Sequence, residues 1–88
     1  MDLELIRKQI DQVDQELVSL LEKRMALVEQ VVAFKKTSGK SVFDSKREKA
    51  IFEKVRSLIK NDQYQESIVS IFSDILKHSR HYQDKNIK

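Results

Sequence analysis

Three cations lie on or beside the apolar stripe of what the spacing predicts as the first helix. Arg24 occupies a position where the alternation of apolar residues calls for another apolar side chain, and Arg7 and Lys35 lie on the flank of the same stripe. A single long cation there often buries its methylenes and keeps its charge in water. Three of them along one helix favour the alternative interpretation, a binding site for an anion.

The helical spacing of these cations predicts which of them can share a ligand. Arg24 and Lys35 are eleven residues apart, close to three full turns, so they project from nearly the same face with ~16 Å of axial rise between them. Flexible side chains at that separation can bracket a small dianion. Arg7 is seventeen residues from Arg24, or ~25 Å along the axis. We therefore predict that Arg7 serves the site of a second chain in an antiparallel dimer.

Two charged residues precede the apolar face of the second predicted helix. Arg47 and Glu48 lie four and three residues before Ile51 and so continue its inward face. A structural interpretation stays open, because Ser45 and Glu48 have the spacing of a capping box and Arg47 fits a surface cation. The alternative is that both side chains face the same ligand as Arg24.

Two uncharged polar residues end the apolar face of the third predicted helix. Ser79 and Gln83 follow Ile75 and Leu76 at a spacing that keeps them on the inner face. Either they bind a ligand, or they lie where the apolar face of this helix ends and solvent begins. The following residues are predicted to face outward, with no chemical role: His78, Arg80 and His81.

This set of residues supplies charge without a nucleophile. It lacks a nucleophile paired with a base, a phosphate-binding glycine loop and a metal-ligand cluster, and the chain has no cysteine. We expect no cofactor and no metal. The donors suit carboxylates, and Glu48 offers an acceptor for a hydroxyl. Such a site can catalyse by positioning and fixed charge.

The composition predicts an all-α fold for a single domain over residues 1–88. The chain has no proline, one glycine and 35% charged residues, which leaves few turn residues for strands. Apolar spacing predicts one long helix from Leu3 to about Lys36 and a second helix capped by Asp44 or Ser45. A third helix is predicted to reach about Gln83, with residues 84–88 frayed.

The length of the first helix predicts an intertwined homodimer. About 34 helical residues span ~51 Å, whereas a compact chain of this size has a diameter of only ~31 Å. The helix must overhang its own domain, and its apolar stripe then needs a partner. A second copy related by a two-fold axis is the simplest partner.

The positive charge is local. The net charge is +3, and the segment 35–49 carries six cations against two anions. This concentration favours an anion site over a nucleic-acid face, although a basic DNA-binding dimer or a non-catalytic dimerisation module stays an alternative. No apolar run reaches the length of a membrane span. The acidic start, Asp2 and Glu4, is unlike a signal peptide, so we expect no membrane association and a cytoplasmic location.

The chain resembles the all-helical chorismate mutases from about Leu3 to Gln83. The resemblance depends on the order and spacing of all the matching positions together. The matching residues are Arg7, Ile10, Asp11, Asp14, Leu20, Leu21, Arg24, Met25, Lys35, Val42, Asp44, Arg47, Glu48, Ser79 and Gln83. The resemblance implies an intertwined dimer of three-helix chains whose two active sites each receive an arginine from the neighbouring subunit.

The resemblance also implies a reaction, the cofactor-free rearrangement of chorismate to prephenate on the route to phenylalanine and tyrosine. Arg24 and the partner's Arg7 would hold the two carboxylates, with Arg47 in support. Lys35 and Gln83 would donate to the ether oxygen. Glu48 would accept from the ring hydroxyl, the main-chain amide of Asp44 would lie nearby, and Ser79 would contact a carboxylate.

Two related activities stay open. Isochorismate pyruvate lyases resemble the same pattern, but an apolar residue replaces Glu48 in those enzymes. A mutase acting on the 4-amino analogue of chorismate differs only by an amino group in place of the ring hydroxyl. Assays with both substrates separate these alternatives from chorismate mutase.

Overall fold

A computed structural model describes residues 2–87 as three α-helices, and no strand occurs within that range. The helices are α1 (Leu3–Ser38), α2 (Ser45–Leu58) and α3 (Gln65–Asn86), with a short 3-10 helix, Asp62–Tyr64, before α3. The predicted all-α class with one long and two shorter helices is confirmed. No helix in this range is both long enough and apolar enough to cross a membrane.

Both ends of α1 follow from local chemistry. The Asp2 carboxylate accepts a hydrogen bond from the Glu4 amide (3.0 Å), which satisfies one of the free amides of the first turn. At the other end Gly39 has φ 72° and donates its N–H to the Lys35 carbonyl (2.9 Å). A residue without a Cβ adopts this left-handed conformation at little cost. The helix therefore extends to Ser38, two residues beyond the predicted end.

The cap of α2 is Asp44, one of the two predicted candidates. Its carboxylate accepts from the Arg47 amide (3.0 Å), and Ser45 is already the first helical residue. The capping box predicted for Ser45 and Glu48 is wrong. The Glu48 side chain instead pairs with Arg80 of α3.

The third helix is longer than predicted at its carboxyl end. Residues 84–86 are helical, so the prediction of a frayed tail is wrong for them. The Asn86 side-chain amide donates to the Tyr82 carbonyl (2.8 Å), and the Ile87 amide donates to the Gln83 carbonyl (2.9 Å). The second bond satisfies a carbonyl that would otherwise lack a partner in the last turn. Lys88 lies outside the described residues.

The hydrophobic core is small and confined to one end of the molecule. Helix α3 packs against both α1 and α2, and the buried apolar side chains are Val28, Val32, Val55 and Leu76. The amino-terminal half of α1 extends away from this core. Its exposed apolar residues are Leu3, Leu5, Ile10, Val13, Leu17, Val18, Leu20 and Leu21.

The overall dimensions reflect the overhang of α1. The chain measures 55 × 24 × 15 Å with a radius of gyration of 16.1 Å, whereas a compact domain of this length has ~12 Å. The uncovered apolar face of α1 is large for a monomer. The homodimer stays a prediction, and this face is its structural basis.

Candidate active site

A pocket of about 430 Å³ lies between the carboxyl-terminal half of α1, the start of α2 and the end of α3. All the predicted site residues except Arg7 line it: Arg24, Lys35, Asp44, Arg47, Glu48, Ser79 and Gln83. The volume is within the range of small-molecule sites. Apolar side chains, among them Val28 and Leu76, form the floor.

Arg7 lies outside this pocket in its own chain. It is exposed on the overhanging part of α1, where its guanidinium pairs with Glu4 (3.0 Å, three residues earlier). An exposed pair of this kind contributes little to stability, so the side chain is free to exchange partners. Its role in a second subunit's site stays a prediction.

A chain of hydrogen bonds links α1 to α3 across the pocket wall. The Lys35 ammonium donates to the Gln83 side-chain carbonyl (2.8 Å) and to the main-chain carbonyl of Val42 (2.9 Å). The Gln83 amide nitrogen donates to the Ser79 hydroxyl (3.2 Å). Both polar residues of α3 are buried, with Gln83 7% and Ser79 6% exposed. The polar end of the α3 stripe is thus part of the pocket and not a transition to solvent.

This arrangement leaves donors for a ligand. An ammonium has three N–H groups and a primary amide has two. Two of the Lys35 donors and one of the Gln83 donors are used by the bonds above. The loop carbonyl of Val42 and the buried amide hold the Lys35 side chain in place, so a ligand meets a preorganised cation.

Arg24 and Arg47 place two like charges near each other on α1 and α2. Partial burial lowers the pKa of Arg24, and the neighbouring Arg47 charge lowers it further. Both causes disfavour the charged form of Arg24. A dianion bound between the two guanidiniums would relieve this repulsion, so the site is electrostatically prepared for an anionic ligand.

Arg80 lies in the pocket, and the prediction that it faces outward is wrong. Its Nη1 atom donates to both carboxylate oxygens of Glu48, at 2.5 and 2.6 Å, and its guanidinium lies over the Phe43 ring at 5.6 Å from the centroid. Arg80 follows Leu76 by four residues and precedes Gln83 by three, so it belongs to the inner face of α3.

The signal for Arg80 was present in the sequence as that spacing. The inner face of α3 is wider than the predicted stripe and includes residues 76, 79, 80 and 83. His78 and His81 are exposed, as predicted. The Val42 carbonyl was also missed, and no pattern of side chains predicts where a loop carbonyl points.

The pocket contains fixed charges and hydrogen-bond donors. Within residues 2–87, no group of three or more His, Cys, Asp or Glu side chains is arranged to hold a metal ion. Five cations line the pocket against two anions, Asp44 and Glu48. Such an arrangement can bind a dicarboxylate and can stabilise negative charge that develops on an oxygen near the donors.

Comparison with known proteins agrees with this chemistry. A family profile described as chorismate mutase type II matches residues 6–84. The chorismate mutase of Methanocaldococcus jannaschii is 31% identical over 84 residues, which cover 94% of this chain and 85% of that protein. No solved structure matches significantly. The chain belongs to the type II chorismate mutase family.

Proposed function

We propose that this chain, an isomerase of the chorismate mutase family, binds chorismate in the pocket between α1, α2 and α3 and rearranges it to prephenate there. The observation that carries this assignment is the grouping of Arg24, Arg47 and Lys35 with the Gln83 amide in one pocket. The reaction breaks the ether carbon–oxygen bond and forms a carbon–carbon bond within one molecule. It therefore requires no cofactor, nucleophile or base.

The substrate carboxylates pair with arginines. Arg24 binds one of them and Arg7 of the partner subunit binds the other, while Arg47 supports the pair. The lowered pKa of Arg24 supports this role, because its causes are partial burial and then the neighbouring Arg47 charge, and a bound carboxylate would counteract both. Each charge-assisted hydrogen bond contributes ~1.5 to 3 kcal/mol.

We place the ether oxygen within reach of the remaining N–H groups of Lys35 and Gln83. Negative charge grows on this oxygen as its bond to carbon breaks, so donors aimed at it bind the transition state more strongly than the substrate. The 2.8 Å hydrogen bond from the Lys35 ammonium to the Gln83 side-chain carbonyl supports the assignment, because it brings the two side chains together in one part of the pocket.

Three further residues orient the ring. Glu48 accepts from the ring hydroxyl, the main-chain amide of Asp44 lies nearby, and Ser79 contacts a carboxylate. All three line the same pocket. Together these contacts restrain the substrate to its chair-like reactive conformer, which contributes by positioning alone. A millionfold acceleration needs only ~8 kcal/mol, which two or three donors plus positioning supply.

The active assembly is an intertwined homodimer of single-domain chains, each site completed by Arg7 of the partner subunit. The exposed apolar residues along the first half of α1 support this arrangement. We place the enzyme in the cytoplasm, on the route to phenylalanine and tyrosine, with chorismate as its ligand and neither nucleic acid nor membrane as a partner.

The test is the loss of chorismate absorbance with purified protein, repeated with Arg24→Ala. We expect turnover by the unchanged protein and its near-complete loss in the variant. Lys23→Ala is the matched control, because it removes an exposed cation from the neighbouring position of the same helix. A folded protein without chorismate turnover would contradict the activity. Turnover that survives Arg24→Ala would contradict the site.

Parallel assays separate the related activities. Isochorismate and the 4-amino analogue of chorismate are offered to the same protein. Glu48 in the pocket supports a substrate with a hydrogen-bond donor at its position on the ring. Turnover of isochorismate alone, with release of pyruvate, would point to a lyase. DNA retention that weakens with salt, without any turnover, would favour a nucleic-acid-binding dimer.

A further inference from the structure

An ion pair between α2 and α3 lies in the wall of the pocket, and its cation, Arg80, has no role in the reaction as described above. One guanidinium nitrogen of Arg80 donates to both oxygens of Glu48, at 2.5 and 2.6 Å. The two side chains are only 30% and 18% exposed, respectively. Partial exclusion of water makes such a pair stronger and more persistent than a surface pair.

The pair is held from a second side. The Arg80 guanidinium lies over the ring of Phe43, in the loop that precedes α2. A cation over an aromatic face is attracted to it, and Phe43 thus helps to fix the guanidinium next to the carboxylate. Arg80 therefore orients Glu48 and keeps a positive charge within a few ångströms of it.

This geometry sets the charge of the ring subsite, the part of the pocket at Glu48 where the ring substituent of the substrate is proposed to bind. An ionised carboxylate has about four acceptor positions, and the Arg80 nitrogen occupies one on each oxygen. The others can accept a hydrogen bond from a ligand. The carboxylate charge itself is balanced by the guanidinium. The subsite thus combines an available acceptor with almost no net negative charge.

Such a subsite distinguishes a hydroxyl from an ammonium group. A neutral hydroxyl needs only an oriented acceptor. An ammonium must give up its hydration, and in return it is attracted to the Glu48 carboxylate. The positive charge of Arg80 opposes that attraction, because the ammonium and the guanidinium repel each other at this range. The guanidinium thus penalises a cationic ring substituent more than a neutral one.

We propose that Arg80 is a positioning residue that sets substrate specificity: acting through Glu48, it makes the site prefer a ring hydroxyl over an ammonium at the same position. The proposal rests on the assignment of Glu48 to the ring substituent under the proposed function. It concerns which substrate the site accepts and leaves the chemistry at the ether oxygen unchanged.

The experiment compares kcat/KM for chorismate and for its 4-amino analogue at pH 7, in the unchanged protein and in Arg80→Gln. We expect the unchanged protein to prefer chorismate, and Arg80→Gln to shift the ratio towards the amine at least fivefold. Arg80→Lys keeps a cation near Glu48 and is expected to shift the ratio less. Lys77→Gln is the matched control, because it removes an exposed cation one turn earlier on α3.

Each outcome has one interpretation. A shift below fivefold in Arg80→Gln, an equal shift in Lys77→Gln, or an equal shift in Arg80→Lys would overturn the proposal. A purely structural role for Arg80 lowers both rates together and leaves the ratio unchanged. If Arg80→Gln fails to fold by circular dichroism, Arg80→Met carries the same comparison, since its side chain keeps methylenes over Phe43. Absence of chorismate turnover in the unchanged protein would refute the proposed function instead.

Discussion

Replacement of Gln83 by glutamate tests the assignment of the ether-oxygen donors. In the structure the Gln83 carbonyl accepts from the Lys35 ammonium at 2.8 Å, and its amide nitrogen faces Ser79. Gln83→Glu keeps the shape of the side chain but replaces the amide donor by a carboxyl group. When ionised, that group donates nothing and forms an ion pair with Lys35.

The expected loss follows from this geometry. Ionisation removes the Gln83 donor and draws the Lys35 charge away from the ether oxygen. Removal of one preorganised donor from an oxyanion site typically costs roughly 100- to 1,000-fold in kcat, or about 3 to 4 kcal/mol. We expect a loss of this size near pH 7.5. As the pH falls, the introduced carboxyl is protonated and regains a donor, so the activity of the variant relative to the unchanged protein should rise.

The assay is the initial rate of chorismate loss from pH 4.5 to 8.5, with kcat and KM measured separately. Gln30→Glu is the matched control, because it makes the same chemical change at an exposed position of α1. Circular dichroism at each pH checks the fold. An unchanged rate for Gln83→Glu at pH 7.5, or a loss that does not recover on acidification, would refute the assigned contact.

Two further predictions concern the dimer and the ion pair. Arg7→Ala and Arg24→Ala chains should each be nearly inactive. When equal amounts are unfolded and refolded together, about a quarter of the activity should return, because half of the dimers then contain one intact site. No recovery would argue against a shared site. Glu48→Gln should lower the free energy of unfolding in urea by about 1–2 kcal/mol, because the partly buried Arg80 loses its charged partner. Equal midpoints of the two urea unfolding curves at matched protein concentration would show that the pair adds no stability.

Much of the site could be predicted because helical periodicity is a local property. The spacing of Arg24 and Lys35 alone predicts that they share one face, and both line the pocket. Ser79 and Gln83 were placed on the inner face of α3 in the same way, and both are buried. Spacing along one helix determines which side chains share a face, whatever that helix packs against.

One wrong prediction concerns a side chain with two possible partners. Glu48 has the spacing of a capping box with Ser45, yet its carboxylate pairs with Arg80, 32 residues further along the chain. A local pattern predicts only the local alternative. The carboxylate pairs with the guanidinium because the packing of α2 on α3 brings the two within reach of each other.

The sequence by itself determined the all-α class, the overhang of α1 and the composition of an anion site, since these follow from turn-residue content, helical rise and residue type. Only the tertiary structure decided that Lys35 contacts Gln83, 48 residues away, and that Arg80 pairs with Glu48. Both contacts depend on how neighbouring helices cross and on the rotamers that their packing permits. Those are properties of the assembled helices, which the periodicity of a single helix does not contain.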